Sequence, residues 1–233
     1  MVRGTANGTE ARSVAELRTL LEQGHRAKYL FFWGHRPPRG GGVGPGCLSQ
    51  WWPAPFTVDG VEYASAEHRM MAAKARLFGD PEAERRVLAA PHPQAAKAAG
   101  RQVRGFDEEV WAARRYGIVV AANVAKFGQN AELGAFLAAT AGRVLVEASP
   151  VDRVWGIGLA ADDERAADPA RWRGDNLLGF ALMETRAVLA RSGRPGSEQT
   201  DPWQTDPGQA NPGPTDPGRT HPVQTDPGQA GSP

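Results

Sequence analysis

The stretch Ser65-Ala66-Glu67-His68-Arg69-Met70-Met71-Ala72-Ala73-Lys74 sets a carboxylate and an amine seven residues apart. On a helix that spacing is two turns, so both groups leave one face, with Met70 and Met71 between them. An apolar core stripe does not usually begin with an acid and end with an ammonium. A solvated stripe does not usually carry two methionines in its middle. The pattern suits a pocket wall whose acid and amine point at one ligand. The carboxylate could stabilise developing positive charge or move a proton, and the amine could add to a carbonyl or hold an anion. The same residues also fit an acid placed for the helix dipole and a solvated lysine, and spacing alone leaves both readings open.

Other segments have the residue types for a site. Trp155-Gly156-Ile157-Gly158 joins a flat ring to two glycines, which would let a planar ligand approach closely; a core tryptophan at a turn fits equally. Asn176 precedes a helical pattern and could be its cap or a ligand contact. Arg114, Arg115 and Lys126 could offer a cationic face to phosphate or simply face solvent. Several chemistries find no footing. His25, His35, His68 and His92 lack metal-ligand spacing, so no metal is expected. Gly40-Gly41-Gly42-Val43-Gly44 is followed by no Gly-Lys-Ser/Thr and lies outside a strand–helix junction, which argues against a nucleotide loop. No Gly-x-Ser-x-Gly elbow is present. Cys47 has no basic neighbour in sequence and reads as structural.

These residues must be positioned by regular elements. Ser13-Val14-Ala15-Glu16 fits a capping box opening a short helix striped with Leu17, Leu20 and Leu21. Tyr29-Leu30-Phe31-Phe32-Trp33 reads as a buried strand, and Arg36 to Gly46 as a Pro/Gly loop. Asp59-Gly60 reads as the two-residue turn of a hairpin joining 56–58 to 61–63. Helices are expected over 66–78, 81–89, 93–100, 108–127, 131–140 (behind an Asn130 cap) and 177–191. Arg143-Val144-Leu145-Val146-Glu147 completes the strands, and 156–174 reads as a long loop. The expected fold class is α+β, helix-dominated, with a small sheet in a single domain over residues 11–193.

The flanks differ from this body. Residues 1–10 read as a flexible N-terminus. From Gln199 the chain repeats in pentads (QTDPW, QTDPG, QANPG), with almost nothing apolar, so 197–233 is expected to be a disordered tail. From Ser197 onward five acids face one arginine, so the net charge of +1 divides into −4 there and +5 over residues 1–196. That mild positive charge suits an anionic small molecule and falls well short of a nucleic-acid stripe. No apolar run approaches the roughly 20 residues of a membrane span. With a single cysteine and no apolar leader after Met1, the chain is expected to be cytoplasmic.

Taken in order, Leu48-Ser49-Gln50-Trp51, Phe56-x-x-Asp59-Gly60-x-x-Tyr63-x-Ser65-x-Glu67-His68, Lys74, Asn123-x-x-Lys126-Phe127-x-Gln129-Asn130, Leu145-x-Glu147-x-Ser149-x-x-Asp152-x-x-Trp155-Gly156 and Asn176-x-Leu178-Gly179 resemble the NADAR (YbiA-like) family over about residues 29–190. Any one piece is weak, and five in the right order are specific. The resemblance implies an α+β fold and hydrolysis of N-glycosidic bonds between a ribosyl group and a base-like amine. Two substrate classes come with it. One is the early phosphoribosylamino-pyrimidine intermediates of riboflavin biosynthesis, removed as metabolite damage control; the other is ADP-ribose on guanine, for which nucleic acid enters only as a modified substrate. It also implies that Glu67, Lys74, Trp155 and Asn176 surround the ribosyl ligand, and it marks Ser49, Gln50, Trp51, His68, Gly156 and Gly179 as accompanying substrate-binding positions. Two positions depart from the pattern. Many relatives carry Asn at Gln50, and some carry Asp at Ile157, whose role would pass to Asp162 or Asp163.

Cleaving a C1′–N bond builds positive charge on the sugar, which a carboxylate near C1′ stabilises. Glu67 is the expected catalytic group, with Lys74 beside it either as a Schiff-base amine or as a phosphate or ribose contact. Trp155 would stack on the base or ribose, and Asn176 would bond a ribosyl hydroxyl. No second carboxylate stands out in the sequence, and no cofactor is needed for this chemistry. A binding module for ADP-ribose or an NAD derivative would use the same pocket without turnover, and a scaffold acting through the tail would use none of it. The oligomeric state is not legible.

Overall fold

The computed structural model describes residues 11–193. The expectations for 1–10 and 197–233 lie outside the described residues. In chain order the elements are α1 (Val14–Glu22), β1 (Tyr29–Phe32), a 3-10 turn (Pro45–Leu48), β2 (Phe56–Val58), β3 (Val61–Tyr63), α2 (Ala66–Leu77), α3 (Pro81–Leu88), α4 (Pro93–Gly100), α5 (Glu108–Gln129), α6 (Ala131–Ala139), β4 (Val144–Glu147), a second 3-10 turn (Pro169–Arg171) and α7 (Leu177–Ser192). The fold is α+β and helix-dominated, as its sequence implies. Among the described residues no helix is long and apolar enough to cross a membrane.

Local chemistry explains most boundaries. The side chains of Ser13, Ser65, Asp80 and Asp107 each accept the N–H three residues on, starting α1, α2, α3 and α5. Pro81 and Pro93 occupy the first position of α3 and α4, where a missing N–H costs nothing. His92, not a common cap, starts α4 by accepting the Ala95 N–H at its Nδ1, 3.1 Å away. Asp59 and Gly60 hold φ of 52° and 75°, the paired left-handed conformation of a type I′ turn, and β2 pairs antiparallel to β3 around them.

Two expected caps are absent. Asn130 makes no cap bond to α6; its Nδ2 donates instead to Pro55 O and Lys126 O, tying the end of α5 to the segment before β2. Asn176 makes no cap bond to α7, for a reason that belongs to the site.

β1 and β4 pair in parallel, with Tyr29 opposite Val144 and Phe32 opposite Glu147, although nearly the whole helical body separates them in sequence. The crossover is required because parallel neighbours cannot be joined by a tight turn. α5 packs on α7 and α2, α7 covers β4, and α2 is further enclosed by α3 and α4. Phe127, Leu145, Phe180 and Leu182 meet between these layers with essentially no exposure. Each contributes roughly 1.5–3 kcal/mol by burial. α2 is therefore a buried helix, and its alanines let three helices approach it closely.

Candidate active site

A cavity of about 200 Å³ opens where the N-terminus of α2 meets the C-terminal end of β4. One wall is the Ser49-Gln50-Trp51 segment together with Glu67, Met70, Met71 and Lys74 of α2. A second wall, from the end of β4 onward, is Glu147, Asp152, Trp155 and Leu178. Lys97 and Arg101 from the end of α4, and Trp111 from α5, close the remaining sides.

The first wall is built by two anchors. The Glu67 N–H donates to Gln50 O at 3.0 Å, docking the loop onto the first turn of α2. Below it, the Lys126 Nζ donates to Cys47 O at 2.7 Å and Ser49 O at 2.8 Å. Lys126 has no exposure, so it belongs to no phosphate-facing surface; burial brings its amine down to about 7. Its burial also accounts for the position of Cys47, a fully enclosed thiol pushed up to about 11 by desolvation, which fits a structural role. Gln50 accepts from Asn123 Nδ2 at 2.9 Å, which leaves its own buried Nε2 without a partner at the cavity. We predict that Lys126→Met raises amide exchange over residues 49–52. Relief of the buried ammonium offsets part of the lost hydrogen bonding, so the unfolding midpoint shifts by less than about 2 kcal/mol equivalent. Unchanged exchange would show that the loop does not depend on this amine.

Glu67 is 2% exposed, and its Oε1 is sequestered with no hydrogen-bond partner. Burial pushes its carboxyl up to about 7; Lys97 and a polar contact from Trp51 pull down, and Asp152 adds to the rise. Such a group is poised to exchange a proton near neutrality. Lys74 lies on the same face, as its spacing implies. Its Nζ sits 4.0 Å from the Phe106 ring centroid and 5.6 Å from that of Trp111, and partial burial lowers its pKa.

The second wall holds a carboxyl that did not stand out in the sequence. Glu147 ends β4 with its Oε2 buried and unpartnered at the cavity. Burial first, then the Asp152 carboxylate, pushes it up to about 8, with Lys97 opposing and Glu67 adding. Asp152 Oδ1 accepts the N–H groups of Val154 (2.9 Å) and Trp155 (2.7 Å), which fixes the turn presenting the Trp155 ring. Ile157 is fully buried in the core, and neither Asp162 nor Asp163 lines the cavity. Asp163 is instead paired with Arg165 at its Oδ1 (2.8 Å) and Oδ2 (2.6 Å). The structure thus places neither of those two aspartates at the cavity, where the carboxylates are Glu67, Glu147 and Asp152.

Four of the expected contact residues stand behind the cavity, not on it. Asn176 has no exposure: its Oδ1 accepts the Glu147 N–H at 2.9 Å and its Nδ2 donates to Leu145 O at 2.9 Å. Its amide thus bonds the β4 backbone on the side away from β1, caps no helix, and does not line the cavity. Gly179 permits this contact, since a Cβ there would lie 2.1 Å from Leu145 O and 2.5 Å from the Asn176 amide. A Cβ on Gly156 would lie 2.8 Å from Glu147 O, so glycine lets this turn pass close behind Glu147. His68 spends both ring nitrogens, Nδ1 on Ser65 Oγ at 2.8 Å and Nε2 on Ala90 O at 3.1 Å. Because Ala90 O can only accept, Nε2 carries the proton, and burial favours this neutral ring. Ser49, Gln50, Trp51, Glu67, Lys74 and Trp155 are the expected residues that do line the cavity.

Lys97, Arg101, Glu147 and Asp152 were not among the expected site residues. Lys97 on α4 and Arg101, its C-cap, are four apart, a same-face pair readable in sequence. Glu147 was signalled by an acid ending an otherwise apolar strand. Among the described residues no three His, Cys, Asp or Glu side chains converge as a metal-binding group.

Comparison with known proteins places the chain in a family. The chain matches the NADAR domain over residues 31–190. N-glycosidase R617 of Acanthamoeba polyphaga mimivirus is 39% identical over 164 residues, 68% of this chain and 95% of that protein. N-glycosidase YbiA of Escherichia coli (strain K12) is 33% identical over 136 residues, 58% of this chain and 76% of that protein. The NMR structure of the E. coli protein YbiA superposes with a TM-score of 0.58 at 28% identity, over 72% of this chain and 88% of that one. The riboflavin biosynthesis protein PYRR, chloroplastic, of Zea mays is 32% identical over 138 residues, 56% of this chain but 20% of that protein.

The chain belongs to the NADAR domain family. Its activity class is that of an N-glycosidase.

Proposed function

We propose that this N-glycosidase hydrolyses phosphoribosylamine-type substrates, foremost the early phosphoribosylamino-pyrimidine intermediates of riboflavin biosynthesis, as metabolite damage control in the cytoplasm. The observation that carries the reading is the buried Glu67 carboxyl, its Oε1 without a partner, in a cavity of about 200 Å³ whose other sides supply cations and aromatic rings. That volume suits one ribosyl unit with a single-ring base. Lys97 and Arg101 would hold the phosphate by charge, Trp155 would stack on the base, and the unpartnered Gln50 Nε2 would donate to a sugar hydroxyl. Glu67 stabilises the positive charge that grows at C1′ and takes the proton of the attacking water. The naming of the maize relative as a riboflavin biosynthesis protein supports the substrate class.

ADP-ribose on guanine is the second substrate reading, favoured by the placement of Lys97 and Arg101 together, where two phosphates could be met. A side-by-side assay of phosphoribosylamino-pyrimidine and ADP-ribosylated guanosine separates them. We expect the larger kcat/KM on the pyrimidine; the reverse order would assign the enzyme to the modified nucleotide. Binding of either without product would favour a non-catalytic ADP-ribose module.

Two roles fit Lys74: addition to the ring-opened sugar as a Schiff base, and a charged contact to the ligand. With water attacking C1′ directly, Lys74 serves as the charged contact, and burial lowers its pKa beside the ligand. We expect borohydride added during turnover to leave Lys74 unmodified. A sugar mass on Lys74 under borohydride would assign it the Schiff-base role.

A further inference from the structure

Besides Glu67 the cavity is lined by Glu147 and Asp152, which the proposed chemistry at C1′ does not employ. We infer that Glu147 is the catalytic acid that protonates the departing nitrogen, while Glu67 serves the attacking water. This assignment rests on the N-glycosidase reading and adds to it the fate of the leaving group.

The geometry places Glu147 for that role and for little else. Its backbone is held from both sides, the N–H by Asn176 Oδ1 at 2.9 Å and the carbonyl by the Ile157 N–H at 2.9 Å. The side chain leaves this rigid frame into the cavity, where Oε2 is shielded from solvent and makes no hydrogen bond. A structural carboxyl at such depth would be expected to have a cap, a backbone N–H or an ion-pair partner. Glu67 Oε1, on the same cavity, is equally unpartnered. Each of the two carboxyls thus brings one shielded, unpartnered oxygen to the same cavity.

Charge decides how the pair is protonated. Glu147 faces Glu67 and Asp152, which both oppose its ionisation, and Lys97, which favours it; Lys74 and Arg101 line the same cavity. Glu67 has the Trp51 contact and Lys97 on the side of the anion. These surroundings favour the proton on Glu147 and the charge on Glu67. Asp152 accepts two backbone N–H groups beside it. Glu147 lines the same cavity as Trp155, the proposed stacking partner of the leaving base, and Glu67.

The step balances. The C1′–N bond breaks, its electron pair stays on nitrogen, and nitrogen takes the Glu147 proton. Water oxygen bonds to C1′, and the water proton passes to Glu67. The sugar leaves as a free hemiacetal and the base as a neutral amine. The pair still holds one proton, now on Glu67, and exchange with solvent returns it to Glu147.

The test compares two leaving groups on the full-length protein: the phosphoribosylamino-pyrimidine, whose nitrogen must be protonated, and p-nitrophenyl riboside 5-phosphate, whose phenolate leaves without a proton. For Glu147→Gln, the fall in kcat on the pyrimidine is expected to exceed that on the nitrophenyl substrate by about 100-fold or more. In the same variant, the alkaline limb of the wild-type kcat/KM profile on the pyrimidine should disappear. Glu67→Gln should lose activity on both substrates alike. Equal losses for Glu147→Gln on both substrates would overturn the acid assignment alone. A wild-type enzyme inactive on both would overturn the N-glycosidase reading and the acid assignment with it. Should Glu147→Gln not fold, Glu147→Asp keeps an acid one methylene short, and the same inequality between the two substrates decides the matter.

Discussion

Glu67→Gln is expected to lose about a thousandfold or more in kcat while becoming more stable above neutral pH. The first half follows from chemistry, because glutamine can neither carry the negative charge opposite C1′ nor accept a proton from water. The second half follows from linkage. The Glu67 pKa rises from 4.5 to about 7 on folding, so between those values the native state keeps a proton that the unfolded chain has released. Stability from this group is complete below 4.5 and is lost as pH rises through about 7. Glutamine, neutral at every pH, removes that loss, which is on the order of a few kcal/mol at pH 8. Chemical denaturation at pH 5 and pH 8 checks it: the variant should gain on the wild type only at the higher pH. A variant that is both inactive and destabilised at pH 8 would mean that the carboxylate is a structural anchor.

Asn176→Ala should cost about 3–5 kcal/mol and lower the melting temperature by about 10 °C. Both amide bonds to β4 vanish, leaving the Glu147 N–H and the Leu145 carbonyl buried and unpaired at roughly 1–3 kcal/mol each. Alanine must also hold the φ of 52° that asparagine tolerates, at roughly 1 kcal/mol more. Asn176→Gly separates the two contributions, since glycine adopts that angle freely and should recover only the second. Activity should fall in both variants because the end of β4, and the Glu147 side chain with it, loses its backing. A folded variant with an unchanged melting temperature and a raised KM would return Asn176 to the ligand. The resemblance placed this residue around the ribosyl group, and its bonds place it one layer behind.

That displacement shows where sequence reasoning stops. Caps, prolines and turn residues act over three or four positions, so helix starts at Ser65, Asp80 and Asp107 and the Asp59-Gly60 hairpin were legible. The Glu67–Lys74 face was legible because helical periodicity is local too. The pairing of β1 with β4 depends on packing of all the helices between them, and periodicity carries no record of it. Glu147 stayed obscure for that reason: it becomes a site residue only once β4 is set beside the N-terminus of α2. Asn130 and Asn176 misled because an asparagine before a helix has a common local use, which long-range backbone groups took over in both cases. Lys126 was read as a surface cation, and only its fully enclosed position against Cys47 O and Ser49 O shows it anchoring the loop.

The central claim, hydrolysis at C1′ in the Glu67 cavity, is most directly tested by mass balance. Purified wild-type protein and Glu67→Gln are each incubated with phosphoribosylamino-pyrimidine, and ribose 5-phosphate and the free pyrimidine amine are quantified against the substrate consumed. The wild type should release both products in equal amounts, well above spontaneous decay, and the variant should match the decay control. Saturable binding with no release above the control, or release undiminished in Glu67→Gln, would contradict the account.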